Sequence, residues 1–298
     1  MSVDFAHNLF ASAVSGAAGM AMFNPLDCLR VRWQVARADA ARARTAWRFA
    51  AEIARREGLV AGLWRPGLAL NTAGVALCNG VRFAAYPVIR DALSSRDTKS
   101  GGSMLAGSLL AGAVAYAVSA PLYLAKTRAQ GLTGLVDRST GRYATGPHAG
   151  QPLACASLAR ALRAGGVAAL WTGAGVLVAR GAALTGGQLT AYDATKTGLK
   201  ARGALREGPA LHLVASVHGA LWATTLAMPL DNLMARYQAE PGRYRGPWRC
   251  ALELVRAEGP AVLMRGWGPM FARLAPMHVV NATLFEQVRF LVGGGYYE

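Results

Sequence analysis

Pro25-Leu26-Asp27-Cys28-Leu29-Arg30, followed by Arg32 and Gln34, closes an apolar stretch near the start of the chain. Pro121-Leu122-Tyr123-Leu124-Ala125-Lys126, followed by Arg128 and Gln130, closes a second. Pro229-Leu230-Asp231-Asn232-Leu233-Met234, followed by Arg236 and Gln238, closes a third. The prolines stand at similar intervals (121 − 25 = 96 and 229 − 121 = 108). After each motif comes a polar loop, then Glu57-Gly58, Gly165-Gly166 or Glu258-Gly259, then an aromatic and a glycine that open another apolar stretch. Self-similarity at a fixed interval marks repeated structural units. The chain is three copies of one two-helix unit.

Working outward, the stretches are long enough to cross a bilayer, which takes about 20 helical residues. Residues 5–26, 100–125 and 208–230 carry no Asp, Glu, Lys or Arg. Three further candidates carry internal charge: 67–90 holds Arg82, 173–192 holds Arg180, and 269–289 holds Arg273 and Glu286. A hydropathy count is expected to miss these three, and a charge inside a span is a functional suspect by default. Repeat units are expected at about 5–95, 101–200 and 208–293 of one domain covering 1–298.

Composition agrees. The 298 residues are 53% hydrophobic and only 16% charged, yet carry a formal charge of +16. Mean hydropathy is +0.24. Disorder is excluded, because it needs low hydrophobicity beside high charge. A soluble nucleic-acid binder is a poor fit, since the basic residues are scattered between apolar stretches. The 35 glycines suit helices that approach closely in lipid. Cys28, Cys78, Cys155 and Cys250 are widely spaced and form no CxxC, so neither a zinc site nor a disulfide framework is expected. The five histidines show no ligand spacing, and no Ser-His-Asp or phosphate-loop constellation occurs, so no cofactor, metal or enzymatic activity is expected. Residues 1–7 hold Asp4 and no base, unlike a signal peptide, so targeting information is expected inside the chain.

The long loops are the more basic. Loop 36–65 has seven Lys/Arg against three acids, 131–172 four against one, and 239–266 five against three. The short loop 91–104 is balanced at two against two, and 197–208 is +2. This bias places the long loops on the inside. Segment 46–57 alternates Trp47, Phe49, Ala50 and Ile53 with Arg48, Glu52, Arg55 and Arg56, the pattern of a short helix lying at the membrane surface or of an ordinary solvated helix.

The tripled motif resembles that of the mitochondrial carrier family, P-x-[DE]-x-x-[KR]-x-[KR]-x-Q, and the resemblance covers essentially the whole chain. It implies an all-α membrane fold: six tilted transmembrane helices in three pseudo-threefold repeats, with short matrix surface helices. It further implies one central substrate cavity, a monomer, cardiolipin at the matrix side, and both termini on the cytosolic side of the inner membrane.

The same resemblance implies two gates. The matrix gate gathers Asp27, Arg30, Tyr123, Lys126 and Asp231, braced by Gln34, Gln130 and Gln238 below the helix kinks at Pro25, Pro121 and Pro229. Tyr123 stands where an acid is usual and Met234 where a base is usual. By the expected pairing order Asp231 meets Lys126, Arg30 faces Tyr123, and Asp27 faces Met234, leaving one complete pair. The cytosolic gate is carried by Tyr192-Asp193-Ala194-Thr195-Lys196 and Phe285-Glu286-Gln287-Val288-Arg289, while Tyr86-Pro87-Val88-Ile89-Arg90 has proline in place of the acid. Arg90 is expected on Asp193 and Lys196 on Glu286, with Arg289 left over. Two pairs against one predicts a molecule closed on the cytosolic side.

Aligned on their gate motifs, the second helices place Gly74, Arg180 with Gly181, and Arg273 at one level. Two arginines without an acid beside them in mid-membrane make an anion site, and a guanidinium grips carboxylate in a two-pronged fork. Asn71, Cys78, Asn79 and Gln188 are further contact candidates, or ordinary bridges between packed helices. Arg180-Gly181-Ala182-Ala183 is similar to dicarboxylate carriers. Asn79-Gly80-Val81-Arg82, Tyr123 and Met234 look like the oxaloacetate branch. The resemblance thus implies exchange or proton co-transport of dicarboxylates, oxaloacetate or sulfate by alternating access. A proton-leak carrier, or a carrier of another carboxylate or amino acid, is the alternative.

Overall fold

The computed structural model describes residues 3–36, 45–93, 101–131, 165–203, 208–239 and 243–292, with short pieces between 135 and 163. Eight α-helices lie among them: α1 (Val3–Val35), α2 (Ala46–Glu57), α3 (Leu68–Leu93), α4 (Gly101–Gly131), α5 (Ala174–Ala201), α6 (Pro209–Ala239), α7 (Pro247–Glu258) and α8 (Trp267–Leu291). Six are long. The first helices of the repeats are α1, α4 and α6, and the second helices are α3, α5 and α8. Cys155 lies outside the described residues.

Composition alone marks α1, α4, α5 and α6 as bilayer-spanning, but not α3 or α8. Charge alone does not separate them: α5 carries Arg180, Asp193, Lys196 and Lys200 and is still marked, whereas α3 adds Asn71 and Asn79 and α8 adds His278 and Asn281 to its internal charge.

The first helices do not stop at their prolines. Each contains its proline and runs ten residues past it, to Val35, Gly131 and Ala239. Proline has no N–H to give to the preceding turn, so the helix is locally weakened there. The motif residues beyond are helical, and their spacing of three and four places Asp27, Arg30 and Gln34 on one face. The same spacing puts Tyr123, Lys126 and Gln130 on one face of α4, and Asp231, Met234 and Gln238 on one face of α6.

The long helices form a closed ring. Neighbours pack in chain order, α1 on α3, α3 on α4, α4 on α5, α5 on α6 and α6 on α8, and α8 returns to α1. The first helices also touch one another. Glycine permits the closest approaches, as lipid-embedded packing demands. A Cβ on Gly187 of α5 would stand 3.2 Å from the Ala223 Cα of α6.

The ring is locked by a device repeated three times. A glycine with positive φ precedes each second helix: Gly67 (67°), Gly173 (79°) and Gly266 (92°). Each lies against the motif glutamine of another repeat, Gly67 on Gln130, Gly173 on Gln238 and Gly266 on Gln34. A second device ties first helix to surface helix. Arg32 meets Glu57 at 2.8 Å, and Arg236 meets Glu258 at 3.1 Å. Gly165 replaces the acid in the second repeat, and there the Arg128 Nε donates to the Gln238 carbonyl at 2.8 Å. Burial pushes the Glu57 carboxyl above its ordinary range, against the pull of Arg32.

The surface helices α2 and α7 each bury one side, α2 through Ile53 on Leu29 and Leu63, and α7 through Cys250 and Leu254 on Val262. Trp47 and Trp248 stand exposed at 57% and 72%. Such amphipathic aromatics suit a membrane–water interface. The corresponding part of the second repeat falls largely outside the described residues. A short hairpin, bridged between Val136 and Tyr143, covers Ala61 of the first repeat instead.

Gly67→Ala is expected to destabilise the fold by roughly 1–3 kcal/mol, because a side chain is strained at this φ. Its Cβ would also press at 3.0 Å on Gln130 Cγ and 3.2 Å on the Lys126 carbonyl. Gly268→Ala, with nothing within 4 Å, is the neutral control. Thermal unfolding of both variants in detergent measures the difference.

Candidate functional site

The three motif faces meet in a buried charged cluster. Asp27 and Asp231 are both fully buried. Arg30 reaches both: it bonds Asp27 at 2.8 Å on its own helix and Asp231 across on α6. Asp27 also takes Lys126 of α4 at 2.6 Å and Arg273 of α8 at 3.2 Å. Asp231 takes Arg180 of α5. Amides complete the shell: Gln34 donates to Asp231 at 2.7 Å, while Gln130 and Asn71 donate to Asp27 at 3.2 and 3.3 Å. Four cations (Arg30, Lys126, Arg180, Arg273) thus surround two carboxylates, an excess of two positive charges in a water-poor site.

The expected pairing order is corrected by these contacts. Lys126 pairs with Asp27 rather than Asp231, and Arg30 with Asp231 rather than facing Tyr123. Two inter-helix pairs are complete instead of one. Met234 does not face Asp27. It shares an apolar cluster with Tyr123, Ala120, Val176 and Leu177. The two departures from the motif are therefore a matched exchange, an ion pair's two positions both made uncharged. The cause is the sense of the ring, which sets each first helix's acid against the base of the following first helix.

Arg180 and Arg273, expected at mid-membrane, reach down to this cluster, and Gly181 lies beside Arg180. Gly74 is buried where α3 packs on α4, its missing Cβ facing Leu122 and Tyr123. Asn71 belongs to the charged cluster. Asn79 bridges helices, donating to the Ser12 carbonyl at 3.3 Å. Cys78 is buried, and Gln188 is half-buried on α5 with its carbonyl against Gly219 of α6.

Toward the end opposite the prolines a cavity of about 290 Å³ lies among α3, α4 and α5, lined in part by Arg82, Tyr86, Tyr116, Gly181 and Thr185. Tyr116 was missing from the sequence-based candidates, and Arg82 stood among them only as a charge inside a span, not as a contact residue. The signal for Arg82 was available, as a base inside a span two turns beyond Gly74. Its guanidinium lies 5.7 Å from the centre of the Tyr116 ring, a cation–π contact.

At the end opposite the prolines the expected Arg90–Asp193 pair is not formed. Arg90 pairs with its neighbour Asp91 at 2.7 Å, and Asp193 is exposed. An adjacent carboxylate in solvent needs no helix movement to be reached, which is why it displaces the expected partner. Tyr192 reaches the neighbouring α6, its hydroxyl 2.5 Å from His212 Nδ1. The Glu286 side chain, expected on Lys196, lies outside the described residues; Arg289 is buried. The proline end is closed by the charged cluster, and of the two pairs expected at the other end the Lys196–Glu286 pair lies outside the described residues.

Three successive stretches, 2–98, 96–203 and 206–295, match the family model described as mitochondrial carrier protein. The chain is 27% identical to mitochondrial uncoupling protein 1 of Arabidopsis thaliana, over 93% of its own length and 90% of that protein's. It is 26% identical to the mitochondrial oxaloacetate transport protein of Saccharomyces cerevisiae, over 95% and 88%. It is 27% identical to a probable mitochondrial 2-oxoglutarate/malate carrier protein of Dictyostelium discoideum, over 93% and 88%.

Met234→Lys is expected to lower stability by several kcal/mol, since it buries a fifth cation without a new acid. Tyr123→Asp is expected to be the milder change, because the cluster has positive charge to spare. The double variant should recover part of the Met234→Lys loss. Melting temperatures of the four proteins in detergent give the coupling; additive losses would mean that the two positions do not meet.

Proposed function

The chain belongs to the mitochondrial carrier family, and on that premise we propose that it carries small dianions, dicarboxylates first among them, across the inner mitochondrial membrane. One observation carries the reading: four buried cations around two carboxylates. A substrate bearing two negative charges neutralises that excess. A cation adds to it, and a neutral molecule leaves it standing. Guanidinium favours carboxylate through paired hydrogen bonds, which suits oxaloacetate-like substrates, with sulfate as an inorganic alternative.

The mechanism follows from the sharing of charges. Arg180 and Arg273 are at once the anion contacts and partners of Asp231 and Asp27. An entering dianion competes for both guanidinium groups. As they turn to the substrate, Asp231 keeps Arg30 and Gln34, and Asp27 keeps Arg30 and Lys126, so each acid loses one cation and stays paired. The proline end is loosened rather than broken. A ligand shifts such an equilibrium only by its differential affinity for the two states, and this competition supplies that difference. Exchange or proton co-transport by alternating access is the outcome. In this reading the protein acts as a monomer. The basic long loops, with α2 and α7, face the matrix, where cardiolipin binds, and both termini face the cytosol.

Uncoupling proteins stand among the relatives at the same identity, so a proton-leak carrier is the second reading. Proton flux into liposomes without any counter-substrate would favour it.

Arg180→Ala and Arg273→Ala should each abolish dicarboxylate exchange in proteoliposomes. Losing a buried charge partner removes several kcal/mol, on the order of a thousandfold in binding. Both proteins should remain folded, because Asp231 and Asp27 keep their other cations. Full exchange by either variant would take that arginine out of the site.

A further inference from the structure

Tyr116 occupies a place in the wall that no gate or anion contact requires. On α4 it stands one helical stripe above Tyr123, with Ser119 and Ala120 between them on the same face. The two rings are tilted against each other with centres 5.9 Å apart. The Tyr116 ring crosses to α5 and lies where a side chain on Gly181 would be. A Cβ there would stand 2.2 Å from Tyr116 Cε2 and 2.7 Å from Cδ2, closer than any real contact. Arg82 caps its face at 5.7 Å from the centre. The ring is therefore held on three sides, and its free edge lines the cavity.

We infer that Tyr116, seated on Gly181, sets the upper size of the substrate. Gly181 lines the cavity while Arg180 does not, so the ring bounds the cavity against the turn of α5 that carries the guanidinium. A cavity of about 290 Å³ is at the small end of ligand pockets, which run from about 300 to 1,000 Å³. Removing the ring opens the volume between α4 and α5 next to Arg180. A side chain on Gly181 drives the ring inward and takes volume away. The inference rests on the anion-carrier reading above, and it names the length of the dianion as the property that is selected.

The test is uptake of a homologous series, malonate, succinate, glutarate, adipate and pimelate, by proteoliposomes holding wild type, Tyr116→Ala, Tyr116→Leu, Tyr116→Phe or Gly181→Ala. One methylene in an apolar pocket is worth about tenfold or more in discrimination. Tyr116→Ala and Tyr116→Leu should therefore raise uptake of the longer acids relative to succinate by about tenfold, moving the cut-off up by at least one carbon. Tyr116→Phe keeps the ring and should keep the wild-type cut-off. Gly181→Ala should move it down. An unchanged cut-off in an active Tyr116→Ala or Tyr116→Leu protein overturns the role of Tyr116 and leaves the anion reading intact. If both are inactive, a Gly181→Ala cut-off equal to wild type overturns it. If wild type moves none of the series, the dicarboxylate reading fails and this one with it.

Discussion

Arg30 holds two carboxylates on two different helices, and the closed end of the molecule is organised around that bridge. A guanidinium offers five donors in a rigid plane, so one side chain satisfies Asp27 on its own helix and Asp231 on α6 together. In a water-poor site the alternative, an unpaired buried carboxylate, is strongly destabilising. Everything nearby serves to complete those two acids. Lys126 and Arg273 come to Asp27, Arg180 comes to Asp231, and three amides fill the remaining lone pairs. The first helices cannot separate without breaking this arrangement, and through their glutamines they also hold the glycines that start the second helices.

The cluster is closed yet incomplete in charge. Its surplus of cations is tolerable because every guanidinium and ammonium still has a carboxylate within reach, but two acids shared among four bases leave each bond replaceable. Replaceable bonds are what a transporter needs at a gate. A fully neutral cluster would be indifferent to an anion, and a cluster without acids would hold the anion and not release it.

Repetition in the sequence made the architecture legible. Three prolines, three glutamines and three glycine-led restarts sit at matched spacing, and the structure places each set in equivalent positions. The neighbour relations around the ring were less legible. Motif spacing says which residues share a helix face, but not whether a given acid meets the base of the helix ahead or of the helix behind. Asp27 with Lys126 and Asp231 with Arg30 therefore came out reversed, and with them the reading of Met234 as a broken partner of Asp27. At the far end the expected Arg90–Asp193 pair is absent for a different reason. Asp91 adjoins Arg90 in sequence and captures it in solvent, a local competitor that a repeat alignment passes over. Tyr116 escaped because it falls outside the repeated pattern, whereas Arg82, at the level of Gln188 in the second repeat, was visible only as a charge inside a span.

The apolar cluster that Tyr123 and Met234 share has a geometric consequence. Three equal charged corners would give the cavity floor threefold symmetry, and a small anion would find three equivalent ways to lie on it. With one corner made of an aromatic ring and a thioether, the floor has a polar side and a greasy side. An anion whose two ends differ then meets a surface with a direction already written into it. The triplicated chain thereby ends in a chamber with a front and a back, suited to ligands that have a front and a back themselves.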